Sequence, residues 1–547
     1  MSLPSSATIS GISHPCSEAA AEIDFTIPER YNASALLFDN LDRERGSHLA
    51  ITGPSGSRTY QQLCSDAAKY GQTLLDLGLT KGDRVLLFLD DTPAYPAAFF
   101  GALRAGLVPV LINTLTPADL LNFYLRDSAA QVAIVDASFA DRFDTHACLG
   151  SELRCIIFTN GPASVVPPVR AMSEAEVTDR AVGGLAAADT HRDDMAFWQY
   201  SSGSTGRPKG IVHLHHDMAY TAMSFARHIL QIRPDDICLS VPKIFFAYGL
   251  GNSLTFPFSV GATSVLLPGQ PKPGPIFQAI SHYRPTLFFG LPTLYTALIK
   301  APEAQVTDLS SLRMCLSAAE VLSNDVAEQW CQLCGQEIIE GLGSTEVLHI
   351  YLSNTPANRK PGAAGRRVPG YQIKLVDRAG QEVGSGEEGI LWVRGDSNAP
   401  YYWNRPDKTA ETMRADGWIY TGDRMMRDAD GYYFFRGRAD DLVKVSGQWV
   451  YPLEVELCLA DHPLVRECAV IAIELPDRRM TLKAFVVLNR SGPAEEAVTR
   501  TLQDHVKQTL LPYKYPRIVE FRDELPKTGT GKIDRQALLR TPIATTA

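Results

Sequence analysis

The chain has 547 residues, of which 45% are hydrophobic and 21% charged, and its formal net charge is −9. This length predicts two or three domains rather than one core. The acidic balance predicts no nucleic-acid partner, and no stretch approaches the roughly 18 consecutive apolar residues of a membrane helix. We therefore expect a cytoplasmic protein that acts on neither nucleic acid nor membranes.

Short apolar runs alternate with helical stretches in the first two thirds of the chain, a pattern that predicts parallel sheets covered by helices, the α/β class. Strands are predicted at 84–89, 108–112, 132–135, 195–199, 237–241, 263–267 and 286–289, and helices at 93–105, 117–128 and 324–334. Strands at 371–376, 389–393 and 432–436, joined by turns, predict a β-rich subdomain. A last unit combines strands at 468–473 and 484–488 with helices at 452–461 and 495–509.

The segment 200–210, Tyr-Ser-Ser-Gly-Ser-Thr-Gly-Arg-Pro-Lys-Gly, has the composition best suited to bind an anion. Five of its first six residues carry hydroxyl groups, and Gly203 and Gly206 let backbone N–H groups approach closely. Lys209 adds a positive charge that suits phosphate oxygens. The segment lacks the spacing of a Walker A loop, and a solvent loop has a similar composition. The strand predicted before it favours a binding loop at a strand end.

Two clusters of metal-type ligands have a structural interpretation. Cys331 and Cys334 suggest a redox or zinc motif, but no second cysteine pair completes a zinc site, and one helix would present both thiols on one face. His213, His215 and His216 have no carboxylate or cysteine partner at a suitable spacing. A packed or surface role is the favoured interpretation for these histidines.

The segment 201–210 resembles the phosphate-binding motif of the adenylate-forming superfamily, which contains acyl-CoA synthetases, peptide-synthetase adenylation domains and luciferases. Further motifs follow in the order of that family. Residues 341–346 resemble its second nucleotide motif, 420–423 its ribose-binding motif, 437–447 and 452–456 its hinge region, and 526–532 its catalytic-lysine motif. Residues 243–252, 343–350 and 511–516 resemble the benzoate- and hydroxybenzoate-CoA ligases in particular.

The resemblance implies a division of the chain into three parts. These are a flexible leader at 1–33, a large N-terminal domain at 34–439 that binds ATP and the acid, and a small mobile α+β C-terminal domain at 440–547. The large domain would contain two parallel-type α/β subdomains and a β-rich subdomain. The implied activity is that of an ATP- and Mg²⁺-dependent aryl-acid:CoA ligase. It would form an acyl-AMP and then a thioester with coenzyme A, acting as a monomer or homodimer.

The resemblance also implies a role for individual residues. The ammonium of Lys532 would bridge the carboxylate and the α-phosphate, Thr345 would bond the α-phosphate, His349 would orient the carboxylate, and Lys444 would act in a second orientation of the small domain. Glu346 would bind Mg²⁺ and Asp440 would be the hinge. The coenzyme A side would include Ser446 and Gly447.

Two larger sets of residues are implied to bind the substrates. The nucleotide would contact Ser201, Ser202, Gly203, Ser204, Thr205, Gly206, Lys209, Ala318, Ala319, Glu320, Glu340, Gly341, Leu342, Gly343, Ser344, Thr345, Asp423, Arg438 and Lys532. The acid would lie against Phe246, Ala247, Tyr248, Gly343, His349 and Ile350, where a structural role for His349 is the alternative.

Three residues depart from the aryl ligases and leave the acid open. Ala319 replaces the usual glycine, Glu340 an aspartate and Val347 a methionine. A cyclic aliphatic or other small carboxylic acid is therefore an alternative substrate. A stand-alone adenylation domain that loads a carrier protein is an alternative activity. A non-catalytic nucleotide-binding protein is a third hypothesis, which the presence of Lys532, Glu346 and Asp423 disfavours.

Overall fold

A computed structural model of the protein describes residues 25–164, 168–180, 182–201, 208–441, 443–445, 448–475, 479–489, 495–527 and 533–540. Within these ranges seven side chains are not described, those of Thr145, Asp440, Lys444, Gln448, Trp449, Glu495 and Pro512. The predicted site positions that lie outside the described residues are Ser202, Gly203, Ser204, Thr205, Gly206, Ser446, Gly447 and Lys532.

Strands occur along the whole described chain, and most are short. They are β1 (Leu49–Thr52), β2 (Arg58–Thr59), β3 (Arg84–Phe88), β4 (Val108–Leu111), β5 (Val132–Asp136), β6 (Cys155–Thr159), β7 (Arg170–Ser173), β8 (Met195–Ser201), β9 (Lys209–Leu214), β10 (Ile237–Ser240), β11 (Thr263–Val265), β12 (Leu287–Gly290), β13 (Met314–Ala318), β14 (Ile338–Gly343), β15 (Ile350–Ser353), β16 (Arg366–Arg367), β17 (Gln372–Val376), β18 (Glu388–Arg394), β19 (Ile419–Arg427), β20 (Tyr433–Arg438), β21 (Val443–Val445), β22 (Gln448–Val450), β23 (Val465–Glu474), β24 (Met480–Leu488) and β25 (Ile518–Phe521).

Helices separate most of the parallel strands. They are α1 (Ala35–Asp42), α2 (Tyr60–Asp76), α3 (Ala94–Arg104), α4 (Ala118–Ser128), α5 (Thr145–Cys148), α6 (Glu174–Thr178), α7 (His215–Thr221), α8 (Ala247–Leu250), α9 (Phe256–Val260), α10 (Pro273–Tyr283), α11 (Pro292–Lys300), α12 (Asn324–Cys334), α13 (Pro406–Thr412), α14 (Pro452–Ala460), α15 (Glu495–Thr509) and α16 (Arg535–Leu539). The segments Ala222–Leu230 and Gly251–Thr255 are π-helical, and Thr345–Val347 is a 3-10 turn.

The first sheet has the strand order β7-β6-β5-β3-β4-β8-β9 and is parallel except for the β8–β9 pair. Alternate residues of β3 enter different cores. Val85 and Leu87 pack with residues of α2 and α3, whereas Leu86 and Phe88 pack with residues of α4. Both faces of the sheet are therefore covered, which explains why its strands are continuous apolar runs.

The second sheet has the order β16-β15-β14-β13-β12-β10-β11-β1-β2. Its centre, from β1 to β14, is parallel, and β2, β15 and β16 are antiparallel additions at the two edges. Because β12, β13 and β14 run in one direction, their carboxyl ends meet at one edge, where ligands bind in open α/β sheets.

An antiparallel unit and a mixed unit follow. The strands β17 to β20 form a four-stranded meander. The last part of the chain contains the β21–β22 hairpin and a sheet in which β23 pairs antiparallel and β25 parallel with β24. Its main core includes residues of α14 and α15. These elements confirm the predicted α/β class with two parallel-type sheets, a β-rich unit and a small C-terminal domain.

The leader prediction requires a correction for residues 25–33. The amide of Asn32 donates to the Leu103 carbonyl at 2.8 Å, and the Ala33 N–H donates to Nδ1 of His215 at 3.0 Å. The side chain of Ile27 is buried. These residues are anchored to the large domain because their polar groups and one apolar side chain find partners there. In the described part of the chain, no helix is long and apolar enough to cross a bilayer.

Candidate active site

The predicted phosphate segment lies at the end of the first sheet. Ser201 is the last residue of β8 and pairs in register with Lys209, the first residue of β9. Lys209 is therefore part of a strand rather than of the loop itself. Its ammonium lies 4.3 Å from the centroid of the Tyr402 ring, a cation–π distance. The residues between, 202–207, lie outside the described part of the chain.

Asp423 and Arg438 face each other on adjacent strands of the meander. They are register partners in the β19–β20 pair, and Nη1 of Arg438 donates to Oδ1 of Asp423 at 2.7 Å and to the Thr421 carbonyl at 2.9 Å. Burial raises the pKa of Asp423, and Arg438 opposes this shift. Gly422 has φ of +73°, and a Cβ there would lie 2.9 Å from Nη2 of Arg438. The glycine of the Tyr-Thr-Gly-Asp motif thus gives the guanidinium room beside the carboxylate.

Glu346 lies on the 3-10 turn that follows β14, close to this pair. Its Oε1 accepts a hydrogen bond from the Tyr402 hydroxyl at 2.8 Å. Burial raises the pKa of the Tyr351 phenol, and the carboxylates of Asp423 and Glu346 raise it further. These interactions place Glu346, Asp423 and Arg438 in one cluster, although 92 positions separate the first from the last. A single hard carboxylate is a suitable donor for Mg²⁺ that also binds nucleotide phosphates.

His213 supports the turn that carries Thr345 and Glu346. Its Nδ1 lies 2.8 Å from Oδ2 of Asp217 and its Nε2 lies 2.9 Å from the Thr345 carbonyl. His213 is fully buried. His216 similarly joins the carbonyls of Arg192 and Asp396, at 2.9 and 2.7 Å. The structure therefore gives the histidine cluster a packed role.

Glu340 lies on β14 opposite Ser317 of β13. Its burial raises the pKa of the carboxyl group to about 7, with Arg359 opposing the shift. A carboxyl group with a raised pKa is protonated more readily, and in that form it donates as well as accepts a hydrogen bond. That property suits a position that the sequence predicts to contact the nucleotide.

Ala319 has an unusual backbone conformation. Its φ is +72°, in the left-handed region that favours glycine, and its side chain is exposed beyond the end of β13. Leu348, next to His349, also has a positive φ of 69°. Strained residues of this kind concentrate at functional sites. The glycine usual in aryl ligases would adopt this φ without strain.

Replacement of Ala319 by glycine should therefore stabilise the protein. The left-handed conformation costs about 1–2 kcal/mol for a residue with a Cβ, and the added flexibility of glycine offsets about 0.5–1 kcal/mol of the relief, so we expect a net gain of about 0.5–1 kcal/mol. Urea unfolding measures the difference. Ala129→Gly is the matched control, because Ala129 also has a left-handed φ, of 48°, at the C-cap of α4, and the same relief of strain is expected there. A lower free energy of unfolding for Ala319→Gly than for the unmodified protein would contradict backbone strain at Ala319.

The predicted acid site brings together two distant segments of the chain. Ala247 and Tyr248 lie on α8, and His349 and Ile350 follow the turn after β14. A Cβ on Gly251 would lie 2.5 Å from Cδ2 of His349, so this glycine lets the imidazole pack against the helical segment. A Cβ on Gly343 would lie 2.5 Å from the His349 carbonyl. The predicted acid-binding residue Phe246 precedes α8 and is only half-buried.

His349 is surrounded by aromatic rings. Its ring centroid lies 4.5 Å from Phe256, 4.9 Å from Phe225 and 5.6 Å from Tyr248. Burial lowers the pKa of His349 to about 3, so the imidazole is neutral at physiological pH. Within the described residues neither ring nitrogen makes a well-formed hydrogen bond, although the Tyr248 backbone lies close enough to oppose the shift. The buried Tyr248 hydroxyl and the Asn252 amide lie close to each other in the same way.

Lys527 of the C-terminal motif donates to Glu467 of β23 and also interacts with charges of both parts of the chain. Burial lowers the pKa of Lys527, and the carboxylates of Glu320 and Glu456 oppose the shift. Glu320 directly follows Ala318 and Ala319, whereas Glu456 belongs to α14. The motif therefore approaches the carboxyl end of β13. Lys532 itself lies outside the described residues, as do the side chains of Asp440 and Lys444.

Sequence reasoning missed three aromatic residues that the structure places in the site. Phe225 and Phe256 lie in or beside π-helical segments and pack against His349. Tyr402 connects Lys209 with Glu346. Each is an apolar or aromatic residue within a hydrophobic run, a pattern that predicts core packing. The only sequence feature that could have pointed to Tyr402 is the run of three aromatic residues, Tyr401-Tyr402-Trp403.

Together, the strand-edge site and the clustered carboxylates define a nucleotide-dependent, acid-activating enzyme. The model of the AMP-binding enzyme family matches residues 38–403, and that of the AMP-binding enzyme C-terminal domain matches residues 454–532. The chain belongs to this adenylate-forming family, in its benzoate-CoA ligase branch. It is an AMP-forming acid–thiol ligase whose substrates are a small carboxylic acid, ATP with Mg²⁺, and coenzyme A.

Sequence relatives and solved structures agree with this placement. The chain is 42% identical to a benzoate–CoA ligase of Thauera aromatica, over 93% of this chain and 96% of the relative. It is 41% identical to a 4-hydroxybenzoate–CoA/benzoate–CoA ligase of Rhodopseudomonas palustris, over 93% and 94%. The anthranilate CoA ligase AuaEII in complex with anthranoyl-AMP has a TM-score of 0.87 at 38% identity, over 94% of this chain and 97% of that one. A benzoate CoA ligase from Burkholderia xenovorans LB400 has a TM-score of 0.85 at 39% identity, over 93% and 100%.

Proposed function

We propose that this ligase activates benzoate or a benzoate with a small ring substituent. The observation that carries the proposal is the neutral, buried His349 among Phe225, Phe256 and Tyr248. An apolar aromatic enclosure with few polar groups suits a flat ring. Relatives named for benzoate, hydroxybenzoate and anthranilate support the same class of acid.

In the first step, a carboxylate oxygen attacks the α-phosphorus of ATP and the bond to the β-phosphate oxygen breaks, so that pyrophosphate leaves. Two anions must approach each other, and their repulsion has to be screened. In this proposal the Lys532 ammonium bridges the carboxylate and the α-phosphate, with Thr345 bonding the same phosphate. Glu346 would hold Mg²⁺, which would neutralise negative charge of the phosphates, and Asp423 with Arg438 would bind the ribose. Ser201, Lys209 and the residues of 202–206 surround the pyrophosphate side.

In the second step, the thiolate of coenzyme A attacks the acyl carbon, the bond to the phosphate oxygen breaks, and AMP leaves. We assign Asp440 as the hinge about which the small domain turns between the steps, with Ser446, Gly447 and Lys444 on the coenzyme A side. The position of Lys527 near Glu320 supports the first-step orientation in this structure. Such a rotation would replace one catalytic group by another in a single site.

The proposed large domain spans 34–439 and the small domain 440–547. The two family models, at 38–403 and 454–532, support a boundary between them. We propose the cytoplasm as the compartment, since ATP and coenzyme A are available there, and a monomer or homodimer as the functional form.

A panel of acids tests the proposed substrate class. We expect benzoate and hydroxy-, amino- or halobenzoates to exceed cyclohexane carboxylate and short fatty acids by at least about tenfold in kcat/KM, the order that apolar pockets achieve. The measurement is AMP release in the presence of coenzyme A. Reactions with pantetheine or a candidate carrier protein as acceptor form the control for carrier loading. A clear preference for fatty acids would overturn the aryl assignment.

A further inference from the structure

Tyr402 connects the two ends of the proposed phosphate site. Its side chain is buried, with an exposed fraction of 2%. The hydroxyl donates to Oε1 of Glu346 at 2.8 Å, and the Lys209 ammonium lies 4.3 Å from the ring centroid. One side chain therefore contacts both the lysine that follows the phosphate loop and the carboxylate on the turn after β14.

Backbone hydrogen bonds to β9 hold the segment around Tyr402. The Trp403 N–H donates to the Gly210 carbonyl at 2.7 Å, and the Val212 N–H donates to the Tyr401 carbonyl at 3.3 Å. The Tyr402 N–H donates to Oγ1 of Thr409 at 3.0 Å. The ring is thus held by the strand that carries Lys209 and by the start of α13.

The same segment is also fixed to the turn that carries Glu346. The Ala399 N–H donates to the Glu346 carbonyl at 2.8 Å. Both the backbone and the side chain of Glu346 therefore bond to residues 399–402.

A hydrogen-bond donor to a metal-binding carboxylate orients that carboxylate and determines which of its oxygens faces the metal. Loss of such a partner commonly lowers metal affinity by about 10–100-fold. A lysine ammonium over an aromatic face is held there by electrostatic attraction to the ring. Tyr402 is placed to exert both effects at once, because its edge contacts the carboxylate while its face contacts the cation.

We propose that Tyr402 is a positioning residue that orients the Glu346 carboxylate toward Mg²⁺ on the ATP phosphates and couples it to Lys209. This inference rests on the proposed role of Glu346 in metal binding. Tyr402 does not touch the reacting atoms, and its effect is transmitted through the carboxylate. The acid and coenzyme A have no part in it.

Tyr402→Phe tests the proposal, because it removes the hydroxyl and keeps the ring. Calorimetry with α,β-methylene-ATP, with and without Mg²⁺, separates metal-dependent from metal-independent nucleotide binding. We expect the Mg²⁺ concentration for half-saturation to rise about 10–100-fold, with the metal-free affinity unchanged. Tyr401→Phe is the matched control, since Tyr401 is the preceding residue and its side chain is exposed; its Mg²⁺ dependence should equal that of the unmodified enzyme.

The Glu346→Gln background distinguishes positioning from a general loss of folding. There, Tyr402→Phe should cause no further change in Mg²⁺ dependence, whereas a structural defect would lower binding equally in both backgrounds and overturn the proposal. An unchanged Mg²⁺ dependence in Tyr402→Phe alone would also overturn it. If Glu346→Gln itself leaves Mg²⁺ dependence unchanged, the assignment of Glu346 in the proposed function fails instead.

Discussion

We expect Lys532→Ala to reduce the rate of acyl-AMP formation by about 10²–10³-fold or more, the effect of removing one preorganised donor to a developing charge. The alanine variant cannot screen the repulsion between the acid carboxylate and the α-phosphate. ATP binding should change little, because the triphosphate and ribose contacts come from the large domain. Acid-dependent exchange of pyrophosphate into ATP measures this first step without coenzyme A.

The second step gives the control within the same protein. Lys532→Ala supplied with chemically prepared benzoyl-AMP should still transfer the acyl group to coenzyme A at nearly the normal rate. Lys507→Ala is a matched variant in the small domain, since the Lys507 side chain is 37% exposed and its ammonium bonds Asp504 of the same helix at 2.9 Å. Pyrophosphate exchange at the normal rate by Lys532→Ala would show that Lys532 does not act in the first step.

The parallel sheets were predictable because their strands are buried on both faces. Such strands are continuous apolar runs, as in β3, β5 and β12, and they stand out against the amphipathic helices between them. The antiparallel strands β9 and β15 were not predicted. They carry site residues at or beside their ends. The sequence of β9, Lys-Gly-Ile-Val-His-Leu, has no period-2 pattern, and β15, Ile-Tyr-Leu-Ser, is too short to distinguish from the motif that precedes it.

The candidate site was predictable where chemistry requires particular residues in a fixed order. Glu346, Asp423 and Arg438 were expected to act together, and the structure places them in one cluster. Tyr402 was not expected in this cluster. Its hydrogen bond to Glu346 joins residues 56 positions apart and depends on how the meander packs against the second sheet. The positive φ of Ala319 was equally hidden, since alanine in a sequence carries no sign of a left-handed backbone.

The residues around His349 show a further limit of prediction from the sequence. The residues taken from α8 and from the turn after β14 were expected from motifs, whereas Phe225 and Phe256 come from π-helical surroundings with no motif. A π-helical turn changes which side chains share a face, so the helical period of the sequence does not predict its inner residues. If this is the acid site, residues that only the fold brings together contribute to its selectivity.

Asp423→Asn should raise the KM for ATP by about 10–100-fold, because hydrogen bonds to a charged group contribute about 1.5–3 kcal/mol each. The asparagine keeps the shape of the side chain but loses the second acceptor oxygen and the negative charge that Arg438 contacts at 2.7 Å. If Asp423 binds the ribose hydroxyls, the enzyme should prefer ATP over 2′-deoxy-ATP, and this preference should nearly disappear in Asp423→Asn.

The nucleotide comparison makes this prediction specific to the ribose. A variant that merely disturbs the meander would weaken ATP and 2′-deoxy-ATP equally and keep their ratio. Asp430→Asn provides the matched control, because Asp430 lies in the turn between β19 and β20, with a side chain that is 68% exposed. That variant should retain both the KM and the preference. If Asp423→Asn keeps an undiminished preference for ATP, the ribose binds elsewhere. The Asp423–Arg438 pair would then act only to hold β19 and β20 together just before the small domain.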